Sequence, residues 1–493
     1  EAALFGCFSN KRVITTQPNS AASPTEAPRG TLEEDVEMIK EDVNTYYSAK
    51  KVIGTGNFSQ VKLAKRISGD PSIKYAIKIC PKKKLNNDLT LLKREIAILQ
   101  KADHPNITKC YEVYEDTLNI NIVMEHCKGG EFFEKISKKV KMTEAESAWV
   151  LFKIFHAMSH VHAIGYCHRD LKPENFLFET DKANAEIKVA DFGLAVNISN
   201  GQALQSVVGT PNYLAPEIIR KNYGIEVDNW SLGVILYVCL SGKAPFAGAT
   251  QEETFKQILK GSASMNSPEW TRVSADAKDL VRKLLNIDAK RRLTAAEALN
   301  HRWFTTNVNL LQMDFDMQFA DRLLMFKMPN LFKYEALKLL VKQIPSNSIQ
   351  PLINAYRIID VDFSGCITPA KLVSGLERLG KQITLDTAEL IVSYLDQDRR
   401  GYFCYTQFLM GAADDSLLTN RAYLWTSFKH FDKVSAKQSG TERITPEGLV
   451  SYFFYKKREI PMTQSTALIS SADVDNDNAV SFEDFTHFLR LSP

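Results

Sequence analysis

The sequence is short of the features that mark membrane, secreted and zinc-binding proteins. Its longest apolar run, residues 232–240, falls far short of the roughly 18 residues that a membrane-spanning helix needs. The eight cysteines stand singly without a CxxC pair, so neither a zinc site nor a disulfide framework is indicated, and a reducing cytosol is the expected setting. A net charge of only +3 gives no reason to expect nucleic acid or a membrane surface as the main partner.

The 493 residues are enough for two to four domains, and the composition changes along the chain. Residues 1–45 are rich in small polar and then acidic residues, which predicts a disordered N-terminal extension. A continuous globular pattern follows over 46–304. Residues 305–345 carry two amphipathic helical stripes interrupted by Pro329, and 346–493 contain an internal repeat.

Three separated features of the globular region are typical of a nucleotide site. Gly54, Thr55 and Gly56 follow a strand-like segment, and glycines let backbone N–H groups approach phosphate oxygens closely. Lys78 lies on an alternating strand and could hold phosphates, with Glu95 of the next helical segment as its partner. Taken alone, each feature is explained as well by a tight hairpin or by solvated surface charges.

The ordered series of motifs is far more specific than any one of them. Residues 168–175 read HRDLKPEN, the full kinase catalytic-loop pattern, and DFG at 191–193 and APE at 215–217 follow in order. The region 46–304 therefore resembles a eukaryotic protein kinase domain of the calmodulin-dependent kinase group. The resemblance implies an α+β bilobal kinase fold.

The roles of the catalytic residues are implied by this resemblance, because phosphoryl transfer depends mostly on positioning and charge neutralisation. Asp170 would accept the proton of the substrate hydroxyl, while Asn175 and Asp191 would hold Mg²⁺. Lys172 would steady the γ-phosphate, as in serine/threonine kinases. The full candidate catalytic set is Asp170, Lys172, Asn175, Asp191, Lys78 and Glu95.

The same resemblance predicts an adenine pocket and a substrate preference. The hinge would be formed by Met124, Glu125 and Cys127, for which the alternative is an ordinary buried strand. The predicted ATP contacts are Ile53, Gly54, Thr55, Gly56, Val61, Ala76, Lys78, Met124, Glu125, Cys127 and Leu177. Glu131 and Glu174 match positions that attract arginine upstream of the acceptor, through charge-assisted pairing; otherwise they are solvated or structural acids.

The repeat in the last third of the chain matches the EF-hand loop pattern. Asp360, Asp396, Asp432 and Asp473 each end an apolar helical segment at nearly equal intervals, and each is expected to open a polar loop. The third loop, between Asp432 and Ile444, carries an insertion of five residues. Four such units predict an all-α EF-hand domain, a fold signal that is stronger than the signal for bound metal.

A kinase domain, a helical junction and four EF-hands in this order resemble the calcium-dependent protein kinases of plants and protists. The resemblance implies ATP, Mg²⁺ and Ca²⁺ as cofactors, an inhibitory junction, and an EF-hand module that contacts the kinase within one chain. Two alternatives remain open: an active kinase whose EF-hand module is mainly structural or docking, and a pseudokinase scaffold. Gly6 and Cys7 resemble a lipidation signal, which would add peripheral membrane association to a cytoplasmic location.

The loop ligands predict partial calcium control. Position 12 is Lys371 in the first loop, and Arg399 and Arg400 enter the second loop, which ends at Gln407. A calcium loop needs oxygen ligands and an acid at position 12. Only the fourth loop keeps an acidic set, which consists of Asp473, Asp475, Asp477 and Asp484. At most one or two ions per chain are expected.

Ser206 is a candidate regulatory residue, three residues before Gly209 in the segment between DFG and APE. Many calcium-dependent kinases carry an acid at this position, which can face the catalytic-loop arginine, Arg169. A serine would supply that charge only when phosphorylated. The alternative is a solvated loop serine without a regulatory role.

Overall fold

The structure, a computed structural model, describes residues 14–15, 36–56, 59–85, 89–139, 142–182, 184–199, 201–439 and 442–490. These residues form a two-lobed body followed by a helical module, each with its own hydrophobic core. The division confirms the predicted fold class, an α+β bilobal kinase followed by an all-α EF-hand domain. None of the helices in the described ranges is long and apolar enough to cross a membrane.

The first lobe is an antiparallel sheet of five strands with the helix Thr90–Lys101 against it. In spatial order the strands are Tyr47–Thr55, Gln60–Arg66, Tyr75–Pro81, Asn119–Glu125 and Cys110–Glu115. Val61 lies opposite Lys78, and Ala76 lies opposite Met124. Because side chains alternate along a strand, these four side chains share one face of the sheet.

The second lobe is mainly helical and is built around the long helix Glu144–Ala163. Thr143 and Glu146 form a capping box that fixes where this helix begins, and most of its side chains are buried. The other helices are Phe132–Lys139, Pro216–Ile219, Glu226–Ser241, Gln251–Lys260, Ala275–Leu284, Ala295–Leu299 and Arg302–Asn307. Along the whole described chain, from the first lobe to the junction, short 3₁₀ helices lie at Val43–Thr45, Lys82–Leu85, Pro173–Asn175, Pro211–Tyr213, Pro268–Trp270, Ala289–Arg291, Leu310–Gln312 and Ser346–Ser348.

Three two-stranded ladders organise the segments between the lobes. Phe176–Phe178 pairs with Ile187–Val189, and Tyr166–Cys167 pairs with Val196–Asn197. Val208–Gly209 pairs with the short N-terminal strand Ile14–Thr15. The first two ladders set the catalytic loop and the DFG segment side by side, which brings distant parts of the sequence to one cleft.

The predicted disorder of residues 1–45 is wrong for residues 36–45. Val36 is buried in the kinase core, and Ile39 pairs with the edge strand at Tyr114. Glu37 accepts a bond from Lys456 of the helical module at 2.7 Å. The acidic composition of this segment predicts disorder. Its few apolar side chains are ordered because they pack on a surface that forms only in the folded protein. Gly6 and Cys7 lie outside the described residues.

The helical module contains two pairs of EF-hand units. Ile367 pairs with Phe403, and Ile444 pairs with Val480, at the same position of each loop. The helices are Gln350–Ile359, Pro369–Arg378, Leu385–Leu395, Tyr405–Ala412, Asp415–Leu418, Arg421–Ser439, Pro446–Tyr455, Met462–Ser470 and Phe482–Arg490. The repeat prediction is confirmed for the first, second and fourth units.

The third unit departs from the prediction that Asp432 opens a loop. The helix Arg421–Ser439 runs through Asp432 and continues for two further turns. The inserted residues include Lys, Ala and Gln, which are good helix formers, so the insertion extends the helix instead of enlarging the loop. This repeat therefore has no standard twelve-residue calcium loop.

The junction forms two helices, Gln318–Met325 and Leu331–Gln343, which confirms that Pro329 separates them. Both are packed in the core of the EF-hand module, where the Phe332 ring lies against Phe431, Phe485 and Phe488. The expected boundary at residue 345 is thus not a structural boundary. The junction and the EF-hands form one hydrophobic unit.

A buried polar cluster attaches this module to the kinase. The Glu186 carboxylate accepts bonds from Lys153 at 2.9 Å and from Arg357 at 2.8 Å, and Arg357 also donates to Asn106 at 2.9 Å. Burial alone would raise the pKa of Glu186, but the two cations outweigh it and hold that pKa well below its usual range. The module is therefore joined to the second lobe by a paired and hydrogen-bonded charge cluster.

Candidate active site

The strand Tyr75–Pro81 and the helix Thr90–Lys101 bring Lys78 and Glu95 together. Lys78 Nζ lies 2.5 Å from Glu95 Oε1 and 3.4 Å from Asp191 Oδ1. Burial disfavours the ammonium charge, but Glu95 and Asp191 outweigh it and raise the pKa of Lys78. The lysine is therefore charged, and its largely buried ammonium group contacts both carboxylates.

The catalytic loop holds Asp170 through three neighbours. Its carboxylate accepts from Lys172 Nζ at 2.7 Å and from Thr210 Oγ1 at 2.7 Å. The side-chain amide of Asn175 donates to the main-chain oxygen of Asp170 at 2.8 Å. Asp170, the predicted general base, is thus fixed between the lysine and the activation segment.

The backbone of this loop is held by a residue that the sequence analysis did not single out. The buried Asp228 carboxylate accepts from the N–H groups of His168 and Arg169, at 2.8 and 2.9 Å. Arg169 has φ of +68°, a conformation that few non-glycine residues adopt. Asp228 stabilises this strained turn, and no sequence motif that we used contains it.

Asp191 lies beside these groups at the start of the DFG segment. Lys78 lowers the pKa of Asp191, mainly through its charge, so the carboxylate is ionised. The neighbouring Phe192 is fully buried against His168, at 4.8 Å between ring centroids. Asp191 and Asn175 together offer the oxygen ligands that Mg²⁺ prefers, so these residues fit the metal that phosphoryl transfer needs.

The predicted ATP contacts lie around the shared face of the sheet. Val61 pairs with both Gly54 and Lys78, while Ala76 pairs with Met124. Leu177 is on the strand Phe176–Phe178, which is bridged to Glu131. Ile53 and Thr55 lie on the strand Tyr47–Thr55 and Gly56 follows it, while residues 57–58 lie outside the described residues.

The hinge stays a prediction, and the side chain of Glu125, one of its three residues, is already paired. Its carboxylate lies 3.1 Å from Lys188 Nζ and accepts from the Lys109 N–H at 3.2 Å. This side chain therefore holds the back of the hinge and is not available to a nucleotide. Cys127 is half-buried next to it.

The acids expected to read the substrate are close together. Glu174 is partly buried, and its pKa is raised by burial and by the nearby negative charge of Glu131. Its Oε2 atom is buried without a hydrogen-bond partner. A buried carboxylate oxygen in this state fits a guanidinium supplied from outside.

The activation segment places Ser206 against the catalytic loop. Ser206 Oγ lies 3.1 Å from Arg169 Nη1, and the Tyr223 hydroxyl donates to the Ser206 main-chain oxygen at 2.8 Å. The buried pair Glu217 and Arg292 anchors the end of the segment, with N–O distances of 2.5 and 3.1 Å. Ser206 is an exposed residue, and its hydroxyl already contacts Arg169.

The first EF-hand loop contains its own cation. Lys371 Nζ lies 2.7 Å from Asp362 Oδ2, 2.7 Å from Ser364 Oγ and 2.8 Å from the main-chain oxygen of Cys366. These oxygens occupy positions that would serve as calcium ligands. The lysine at position 12 therefore fills the loop instead of simply repelling an ion.

Basic side chains also reach the acids of the second and third units. Arg400 Nε lies 3.5 Å from Asp396 Oδ1, and Lys429 Nζ lies 2.7 Å from Asp432 Oδ2 and 2.8 Å from Glu442 Oε1. Gln407 accepts from the Cys404 N–H at 2.8 Å, so this contact already occupies its oxygen. In these units, as in the first, protein cations partner the predicted ligands.

The fourth loop alone gathers acids in a metal-like cluster among the described residues. Asp473, Asp475 and Asp484 bring one carboxylate oxygen each within 4.8 Å of one another. Desolvation and the two other carboxylates raise the pKa of Asp475 and outweigh the charge of Arg443, as expected of crowded acids. This donor set fits Ca²⁺.

One further predicted ligand of this loop is paired with a basic side chain. Asp477 forms an ion pair with Arg443, which comes from the partner loop across the Ile444–Val480 bridge. Asn478 has φ of +64° in place of the usual glycine, as expected from its tolerance of that conformation. Asp477 stays a predicted ligand, and its pairing with Arg443 was missed because sequence reasoning treated each loop separately.

These positions define a class of protein. A lysine–glutamate pair, a fixed aspartate base and a DFG carboxylate around one cleft form the machinery of a protein kinase. Residues 47–304 match the family model described as a protein kinase domain. Residues 364–403 and 440–490 match the model described as an EF-hand domain pair.

Curated relatives share both parts. The chain is 36% identical to calcium-dependent protein kinase 9 of Arabidopsis thaliana over 96% of this chain and 86% of that protein. It is 35% identical to calcium-dependent protein kinase 2 of Zea mays over 97% of this chain and 93% of that protein. The chain belongs to the calcium-dependent protein kinase family. It is a serine/threonine protein kinase, an enzyme that uses ATP and a divalent metal.

Proposed function

We propose that this kinase phosphorylates Ser or Thr in basic sequence contexts, and that calcium regulates it mainly by binding to the fourth EF-hand. The observation that carries the calcium part is the Lys371 ammonium, which contacts three predicted ligand oxygens of the first loop. The observation that supports the substrate part is the buried, unpartnered oxygen of Glu174.

Each catalytic residue of the cleft has a separate role in phosphoryl transfer. Asp170 accepts the proton of the substrate hydroxyl, and Lys172 beside it faces the transferred phosphoryl group. Asp191 and Asn175 would hold Mg²⁺, which would neutralise phosphate charge when bound. Lys78, fixed by Glu95, orients the remaining phosphates.

An arginine upstream of the acceptor would complete the Glu174 site. Its guanidinium can pair with both oxygens of a carboxylate, and hydrogen bonds to charged groups contribute about 1.5–3 kcal/mol. Glu131 adds a second negative charge at the same place. A basic peptide would thus supply the hydrogen-bond partner that the buried Glu174 oxygen lacks in the free enzyme.

The EF-hand module lies on the side of the kinase sheet that is turned away from Lys78. The Tyr75 hydroxyl bonds to Gln343 at 3.2 Å, and Tyr75 alternates with Ala76 and Lys78 on its strand. Lys109 donates to the main-chain oxygens of Lys342 and Ile344 at 3.2 Å. In this arrangement the end of the junction supports the hinge from behind, which favours an active kinase.

This position supports the second candidate function, a module that mainly docks and stabilises the kinase. Internal cations in three units allow that docking without calcium, while the fourth loop retains a calcium response. The inhibitory role implied by the family resemblance would then require the junction to leave its present site. A lipid anchor at Gly6 and Cys7 remains a separate proposal.

Peptide kinetics test the substrate assignment. Replacement of Arg by Gln upstream of the acceptor should lower kcat/KM by about 10- to 100-fold, the equivalent of one charge-assisted contact. Glu174→Gln should remove most of this discrimination. Asp181→Asn, an exposed acid of the same lobe, is the matched control and should retain it. Equal discrimination in Glu174→Gln and the native enzyme would contradict the assignment.

A further inference from the structure

Two cysteines lie opposite each other where the first two EF-hand loops meet. The N–H groups of Ile367 and Phe403 donate to each other's carbonyl oxygens, at 2.8 and 3.1 Å. Cys366 and Cys404 are therefore the adjacent, non-hydrogen-bonded pair of this antiparallel bridge. Such pairs have Cα atoms about 4.5 Å apart and side chains on one face, which lies within the range that a disulfide spans.

Both thiols line a cavity of about 550 Å³ between the kinase and the EF-hand module. Cys366 is half-buried and Cys404 is buried. Lys342 and Arg400 also line this space, so a small polar reagent enters a basic surrounding. The pair is thus accessible to a peroxide, although neither side chain stands freely on the surface.

We propose that Cys366 and Cys404 form a reversible disulfide that joins the first and second EF-hands when the protein meets a peroxide. This modification site is separate from the kinase chemistry described above, and it uses the sulfur of Cys366, whereas the main-chain oxygen of the same residue is the predicted calcium ligand. In a reducing setting a bond of this kind is transient, as is typical of cytosolic redox-sensing disulfides.

The two sulfurs have different chemical roles. Cys366 is half-buried at the cavity that both thiols line, whereas Cys404 is buried, so a peroxide reaches the Cys366 sulfur first. Burial raises the pKa of the other described cysteines, namely Cys80, Cys110, Cys127, Cys167 and Cys239. Cys366 is thus the attacking thiol.

The reaction balances with hydrogen peroxide as the two-electron oxidant. The Cys366 thiolate attacks one peroxide oxygen, a sulfur–oxygen bond forms as the oxygen–oxygen bond breaks, and the leaving hydroxide takes a proton to become water. Cys404 then attacks the Cys366 sulfenic sulfur. The sulfur–sulfur bond forms, the sulfur–oxygen bond breaks, and the hydroxide leaves as water with the Cys404 proton.

The bond would tie together the loops that contact the kinase. Asp360 Oδ2 lies 2.8 Å from His156 Nε2, and Thr406 donates to Asp103 at 2.6 and 2.9 Å. A link between the two loops removes conformations from the unfolded module and leaves these contacts in place. Oxidation is therefore expected to raise the urea midpoint for unfolding of the module.

Mass spectrometry of the full chain tests the proposal. Reduced protein is treated with hydrogen peroxide, alkylated in denaturant and digested. We expect a peptide pair joined through Cys366 and Cys404, lost after dithiothreitol, at about tenfold less peroxide than modifies the other cysteines. Free Cys366 and Cys404 thiols under conditions that oxidise other cysteines would overturn the proposal, as would a Cys366 sulfenic acid that accumulates without the link.

Variants separate the two roles. Cys404→Ser should leave Cys366 as a sulfenic acid that dimedone traps, whereas Cys366→Ser should leave Cys404 unmodified. Cys127→Ser, which changes another half-buried cysteine, should still form the link. The urea midpoint should rise on oxidation in the native chain and stay constant in Cys366→Ser. A rise of equal size in Cys366→Ser would assign the effect to a different oxidation and overturn the proposed link.

Discussion

The carboxylate of Asp170 is held by side chains from two separate segments. Lys172 lies two residues along the catalytic loop, whereas Thr210 comes from the activation segment. The motif places Lys172 in the same loop as Asp170 without predicting their contact, and the threonine contact depends on how the activation segment folds back. The position of Asp170, and with it phosphoryl transfer, thus depends on the activation segment through the Thr210 hydroxyl.

Asp170→Asn should lower kcat by about 10²- to 10⁴-fold, because the amide cannot accept the substrate proton as the carboxylate does. The Kd for nucleotide should stay near the native value, since Lys78 and Asp191 are unchanged. Steady-state kinetics and nucleotide titration measure the two quantities. A full native rate in the variant would show that another group is the base.

Ser206 phosphorylation should raise activity, because a phosphate there would meet the Arg169 guanidinium that already contacts the hydroxyl. We expect the phosphorylated enzyme to exceed Ser206→Ala by about fivefold or more, the lower range of regulatory coupling. Phosphosite mapping and kinetics of Ser206→Ala and Ser206→Asp measure this. Equal rates in all forms would leave Ser206 as an ordinary loop residue.

Secondary structure followed the sequence where the motif and the local propensity agreed. The loops that begin at Asp360 and Asp396 and the break at Pro329 appear as predicted. The helix through Asp432 was missed because repeat spacing was given more weight than the helix propensity of the insertion. Arg443 was missed because its partner, Asp477, belongs to another loop.

Lys371→Glu should create a calcium site in the first loop, because it replaces the internal cation by the acid that position 12 requires. Calorimetry on the full chain should then show one more bound Ca²⁺ than in the native protein. Arg378→Glu makes the same charge change at an exposed position of the same helix and should add none. A native count in Lys371→Glu would argue against an internal cation as the reason for the lost site.

The EF-hand module is joined to the kinase by contacts that no pattern in the sequence predicts. The EF-hand module reaches both kinase lobes, with Trp425 donating to the Ser68 main-chain oxygen at 2.5 Å and Arg357 paired with Glu186 at 2.8 Å. A buried carboxylate of this kind requires its cations, since loss of one partner of a buried pair costs about 3–5 kcal/mol. Docking is therefore built into the folded chain and does not need an ion in the first three units.

Peptide phosphorylation by the full-length enzyme, with constant Mg²⁺ and ATP, in excess Ca²⁺ or in a calcium chelator, tests this account most directly. We predict substantial activity in chelator, within about fivefold of the rate in Ca²⁺, because only the fourth loop responds. Asp473→Ala should abolish the remaining difference. A rate that falls to background in chelator would contradict the account, since it would mean that calcium, and not the internal cations, holds the module in its active position.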